Sequence, residues 1–218
     1  MNRRPRLLAT AAAGATAALL LTACGGGDDE SKGNDKIAGA DTGGSASASP
    51  RASASPVEGR PKIELPSDLH YSFEWSKTGD KEKDAVLADS EQSIKAVALA
   101  IANQNALDKG YLFYYEGEAA AATQKFVAAY VKAKARTTGA YRYYDAAVNV
   151  TGSDSASLVY CEDQGKAYDM YLKPKKIDKT AVTKNSYVLY NTQLRKNDKG
   201  VWVIEKLLSQ RGSTKCQP

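Results

Sequence analysis

Apolar positions change their spacing several times along the 218 residues, and each change marks a different kind of segment. Leu7 to Ala23 runs seventeen residues without a charge, mostly Ala and Leu, behind a start that carries Arg3, Arg4 and Arg6. From Gly25 to about Lys62 apolar side chains nearly vanish, replaced by Gly25-Gly26-Gly27, Gly43-Gly44 and two Ala/Ser repeats ending in Pro50 and Pro56. From Leu65 onward they return at regular intervals. Leu87, Ile94, Val97, Ala98 and Ile101 predict a helix over 80–104, with Asp80, Glu82 and Asp84 at the end where the helix dipole favours acids. Phe126, Val127, Tyr130 and Val131 predict a second helix over 118–137, with Lys132, Lys134 and Arg136 at its negative pole and Gly139 as its stop. The connector between the helices is an aromatic run, Tyr111 to Tyr115.

After Gly139 the period becomes two. Strands are predicted over 141–150, 157–162, 167–173, 186–196 and 201–208, separated by turn residues at 152–154, 164–165 and 197–200 and by a lysine-rich loop. His70 to Trp75 has strand-like content and fits either the edge of the sheet or the side of the first helix. Such a sheet needs one face covered, and the two amphipathic helices supply the cover. The expected fold class is therefore a two-layer α+β domain with an antiparallel meander of four to five strands.

The uncharged run at the start is shorter than the roughly 20 strongly apolar residues that cross a bilayer. It also includes Gly14, so it reads as an export leader rather than a span. Leu21-Thr22-Ala23-Cys24 resembles the lipobox of bacterial lipoproteins, in which a small residue precedes a cysteine that takes diacylglycerol on sulfur before the leader is cut. By that resemblance Cys24 is the lipidation site and the first mature residue, and membrane lipid is the first partner. Several acyl chains hold firmly where one holds only marginally. The expected organisation is a leader over 1–23, a lipid-anchored disordered tether over 24–64 and one domain over 65–218. The expected location is the extracytoplasmic face of the cell membrane. A tether of roughly 40 flexible residues reaches about 35 Å. Arg3-Arg4 invites a twin-arginine reading and Pro5-Arg6 departs from it, which leaves both export routes open.

Charge narrows the partners. The net charge of +5 falls to +2 without the leader's three arginines, 27 basic against 25 acidic residues, a balance that points away from nucleic acid. With Cys24 assigned to the anchor, Cys161 and Cys216 remain as a pair in a chain bound for an oxidising exterior, and a disulfide is expected between them.

The chain carries no recognisable catalytic set. His70 is its one histidine, which excludes Ser-His-Asp, Cys-His and multi-histidine zinc arrangements, so neither metal nor cofactor is expected. The strand acids are Asp145, Glu162, Asp163, Asp169 and Glu205; Glu205, on the parity of Val201, Val203 and Leu207, is the one expected to face the interior. A buried carboxyl there would have a raised pKa and the capacity to move a proton. Tyr111, Tyr114, Tyr141 and Tyr143 complete the candidate pocket, since aromatics line ligand sites as readily as they fill sheet cores. Lys173, Lys175, Lys176, Lys179 and Lys184 form a basic connector suited either to solvent or to anionic lipid and wall polymer. Asn149-Val150-Thr151 matches a glycosylation sequon only formally.

Two helices, then strands with Val159-Tyr160-Cys161-Glu162-Asp163 in the middle, Val201-Trp202-Val203-Ile204 at the close and Arg211 to Cys216 at the tail, resemble actinobacterial secreted lipoproteins with an NTF2-like, cystatin-like cone. The resemblance covers roughly residues 65–216 and implies a strongly curved sheet wrapped around the helices, with a pocket at its wide end. It implies either a binding scaffold or a cyclase- or isomerase-like enzyme working through one buried carboxylate. The first expectation is a non-enzymatic binding or interaction module in the envelope, meeting an envelope protein or wall polymer. The second is the enzyme. A solute-capturing lipoprotein for a transporter is the third, weakened by a folded part half the size of a two-lobed receptor.

Overall fold

The computed structural model describes residues 59–218. The expected leader, the expected lipidation site at Cys24 and most of the expected tether lie outside the described residues. Strand β1 (Leu69–Phe73) comes first, then helices α1 (Lys81–Ala102), α2 (Lys109–Leu112) and α3 (Gly117–Ala133). Five strands follow: β2 (Ala135–Thr151), β3 (Ser155–Leu172), β4 (Lys175–Asp178), β5 (Tyr187–Lys196) and β6 (Trp202–Arg211). Among the described residues no helix is long and apolar enough to cross a membrane.

The strands form one six-stranded sheet in the order β1-β2-β3-β5-β6, with β4 paired to β3 beside that path. The sheet is mixed rather than purely antiparallel, because β1 runs parallel to β2 while every other pair is antiparallel. His70 to Trp75 thus resolves in favour of the sheet edge, and His70 itself is exposed. The expected break at Gln164-Gly165 is also absent: β3 continues through it for 18 residues. The Gly165 N–H donates to Asp163 Oδ1 at 2.7 Å, so this turn-like pair folds onto its own strand instead of reversing the chain.

The second helix ends earlier than the basic run suggested. Lys134 takes a left-handed conformation at φ 50° and caps α3, so Arg136 and Thr137 already belong to β2. Gly139, expected as a helix stop, lies inside β2 at φ 90°, where a Cβ would stand 2.2 Å from the Lys166 carbonyl oxygen. Its role is close approach between β2 and β3. Register shifts between Ala140 and Arg142, between Tyr144 and Ala147, and between Gln193 and Leu194 bend the long strands.

Helix α1 opens on Asp80, whose carboxylate accepts the N–H groups of Glu82 and Lys83 at 2.9 and 3.1 Å. Both α1 and α3 pack on β2 and β6. The core between these layers holds Val86, Ile101, Val127, Leu158, Trp202 and Ile204, all essentially out of solvent. The folded body also reaches upstream of Leu65: Ile63 packs on the core, and Arg60 forms an ion pair with the buried Asp89 of α1. On the outer face of β3, Cys161 forms a disulfide with Cys216, Cα atoms 5.4 Å apart, and so holds the tail on the sheet.

Candidate functional site

Period-two alternation on β3 sends Ala156, Leu158, Tyr160 and Glu162 to the interior while Cys161 turns outward to its disulfide. Helices α1 and α3 leave part of the hollow of the sheet unfilled. The result is a cavity of about 920 Å³. Ile94, Val97 and Ile101 of α1 and Ala119 and Phe126 of α3 form its apolar wall. Tyr71, Tyr141, Tyr143, Tyr160 and Tyr190 project into it from four strands. Its volume falls within the range of small-molecule sites, which combine apolar walls with a few fixed polar groups.

Glu162 is the buried acid of this cavity, whose lining also includes Asp169 and Asp178. Only 5 % exposed, it accepts the Tyr143 hydroxyl on Oε1 at 2.9 Å and the Gln164 amide on Oε2 at 2.8 Å. The Tyr190 hydroxyl bonds it as well. Burial pushes its carboxyl above the ordinary 4.5, and the donors from Gln164, Tyr143 and Tyr190 only partly offset that push. Arg211 Nη1 closes the network by donating to Gln164 Oε1 at 2.8 Å and to the Asn185 carbonyl at 2.7 Å.

The phenols are held neutral. Desolvation raises Tyr71, Tyr141, Tyr143, Tyr160 and Tyr190, and the charge of Glu162 adds to the shift in all five. Tyr115, also in the wall, is pushed up to about 12 by burial. Tyr160 and Tyr190 stack at 5.0 Å and Phe73 stacks on Tyr143 at 4.7 Å, which fixes these rings in place. Also in the lining, Tyr130 donates to Asp169 Oδ1 at 3.0 Å.

Of the residues expected at the pocket, Tyr141 and Tyr143 line the cavity and three others lie elsewhere. Tyr111 is buried in the core, its hydroxyl donating to the Ala106 carbonyl at 2.6 Å. Tyr114 is buried near Arg60, whose Nη1 reaches its hydroxyl at 3.5 Å. Glu205 is a correction: it sits half exposed and pairs with Arg195 at 2.8 Å. Leu194 pairs with Ile204 and Gln193 with Lys206, so Glu205 is the extra residue of a bulge. The inward parity switches across it, from Trp202 and Ile204 to Leu207, Ser209 and Arg211. Among the described residues no group of three His, Cys, Asp or Glu is placed to hold a metal ion.

A raised carboxyl has a testable sign. Between 4.5 and its elevated value the folded protein keeps a proton that the unfolded chain releases, so stability falls as pH rises through that window. Glu162→Gln is expected to flatten this slope in urea denaturation measured from pH 4 to pH 8. An unchanged slope in the variant would show that Glu162 does not titrate as its burial requires.

No protein-family model matches the chain, and no curated protein does. Among solved structures it is similar to a ketosteroid isomerase-like protein from Erwinia carotovora atroseptica, at 11 % identity over 62 % of this chain and 98 % of that one, with a TM-score of 0.42. It is similar to a domain of unknown function with a cystatin-like fold from Nostoc punctiforme, at 20 % identity over 62 % of this chain and 79 % of that one, with a TM-score of 0.36. The association domain of CaMKII from C. elegans is similar at 15 % identity over 60 % of this chain and 99 % of that one, with a TM-score of 0.35.

Proposed function

We propose that this chain is an envelope lipoprotein, anchored through Cys24 on the extracytoplasmic face, whose NTF2-like cone binds one small, largely apolar molecule. The observation that carries the binding role is Glu162 among neutral tyrosines at the wall of a cavity of about 920 Å³. The apolar part of the wall contributes affinity in proportion to the ligand area it takes from water. Glu162 and the phenols supply direction. Both carboxyl oxygens already accept protein donors, so the acid has its geometry fixed before a ligand arrives and keeps lone-pair capacity for one more donor. That arrangement suits recognition of a hydroxyl or N–H on an otherwise apolar body better than it suits an unrestrained base.

N-phenyl-1-naphthylamine, an apolar fluorophore with one N–H, tests the reading on the full chain. Fluorescence enhancement is expected with the native protein. Affinity is expected to drop about tenfold in Glu162→Gln, the scale of a hydrogen bond to a charged acceptor. Ala122→Trp, at an exposed position on the cavity wall, is expected to abolish the signal without disturbing the core. Equal fluorescence in all three proteins would remove the cavity from the function. Chemical conversion of a molecule extracted with the protein, lost in Glu162→Gln, would replace binding by catalysis.

A further inference from the structure

The exposed segment that supplies Asp178 and Thr180 to the cavity lining concentrates positive charge. Lys173, Lys175, Lys176, Lys179 and Lys184 fall within residues 173–184, and Asp178 is the one acid between them. All five lysines are exposed, and none enters an ion pair among the described residues. Two aliphatic residues stand out among them, Ile177 at 43 % and Val182 at 56 % exposure. Strand β4 pairs with β3 alone, so its outer edge is open, and Asp178, Thr180, Ala181 and Thr183 form part of the cavity lining. Phe126, also in the lining, is 52 % exposed. One strip therefore combines unpaired cations, exposed apolar tips and the rim of the binding cavity.

We propose that the segment 173–184 is a strap that docks on anionic phospholipid headgroups and sets the cavity mouth against the bilayer, so that the ligand enters as a membrane amphiphile. This role rests on the anchored, cavity-binding function proposed for the chain. Charge complementarity selects the occupant: clustered lysines that lack protein partners gain from the surface potential of an anionic leaflet, about fivefold in binding per lysine. Ile177 and Val182 gain by leaving water for the interfacial layer, as apolar residues flanked by lysines do in peripheral anchors. The Gly-, Ala-, Ser- and Pro-rich composition between Cys24 and Arg60 is that of a linker, and roughly 36 residues of such a linker would reach about 30–35 Å, long enough for the contact. An isolated protein surface would supply neither the diffuse negative charge nor the apolar layer beneath it.

The test uses the full-length acylated protein carrying Val182→Cys, labelled with an environment-sensitive fluorophore. With Cys24 acylated and Cys161 bonded to Cys216, this thiol is the single free one. The protein is reconstituted on phosphatidylcholine vesicles with or without phosphatidylglycerol. The expected result is a blue shift on the anionic vesicles alone. It is expected to vanish near 1 M salt, where the screening length is about 3 Å, and in the variant Lys175→Gln, Lys176→Gln, Lys179→Gln. That variant is expected to keep its N-phenyl-1-naphthylamine affinity, which separates lost docking from lost folding. A label that stays water-like on anionic vesicles overturns the strap, as does an equal shift on both vesicles or a shift with soluble anionic wall polymer but not with vesicles. Protein that fails to float with either vesicle overturns the anchored reading itself, and the strap with it.

Discussion

Truncating Arg60 to alanine is expected to cost about 3 kcal/mol of folding stability, the low end of the range for a buried ion pair that loses one partner. Asp89 is 1 % exposed in α1, and its two oxygens have different duties. Oδ1 takes the Arg60 guanidinium, while Oδ2 accepts the Trp202 N–H at 2.9 Å and so ties α1 to the start of β6. Without Arg60 the carboxylate would stay in an apolar core beside one backbone donor. Arg60 keeps 18 % side-chain exposure, which places the cost at the low end. A double-mutant cycle in urea checks the coupling. Asp89→Asn added to Arg60→Ala is expected to recover part of the loss, because it removes the unpaired charge and leaves an acceptor for Trp202. A variant Arg60→Ala within 0.5 kcal/mol of the native chain would show that the pair contributes nothing net. The pair also holds the chain at Arg60 against α1, upstream of the domain start expected near Leu65.

Alternation along the chain places Glu162 on one face of β3 but does not single it out among the strand acids. Ala156, Leu158, Tyr160 and Glu162 share one face of β3, with Cys161 and Asp163 on the other; the tail held by the disulfide covers that second face too, so residues 160–162 are all buried and no polar alternation marks which side meets the cavity. Glu205 was favoured by the same kind of alternation, which fails there for a local reason. A bulge at Glu205 reverses the parity between Trp202 and Leu207, and the residues themselves give no signal of it: no glycine, proline or turn pair marks the place. Gln164-Gly165 misled in the opposite direction, since residues that end most strands here only bend one whose neighbour β2 pairs along nearly its full length. The helix starts were legible because caps are local, as Asp80 shows. The cavity was not, because it is what remains when α1 and α3 meet a bent sheet, and no spacing along the chain encodes an unfilled volume. Tyr71, Tyr160 and Tyr190 enter the site for that reason, each from a strand whose register only the folded sheet sets.

Removing the disulfide as Cys161→Ser together with Cys216→Ser is expected to lower stability by about 4 kcal/mol, the chain-entropy value for closing a loop across 55 residues of separation. For a domain of this size that is a fall in Tm of about 10 °C. Changing both cysteines avoids leaving a buried thiol, since Cys161 and Cys216 are 3 % and 1 % exposed. Much of the loss should appear at the end of β6. Cys216 holds the last residues against β2, where the Tyr144 hydroxyl donates to its carbonyl, and Arg211 just upstream braces Gln164 and, through it, Glu162. A tail that detaches would release that brace, so the serine pair should weaken N-phenyl-1-naphthylamine binding below the unfolding transition as well as lower Tm. Calorimetry on the two full-length proteins, with dithiothreitol added to the native one as a third sample, separates covalent from packing effects: reduced native protein should melt with the serine pair. A fall of less than 2 °C would mean that strand pairing along β3, β5 and β6 already holds the tail, and that the bridge acts on the unfolded chain far less than its loop length implies.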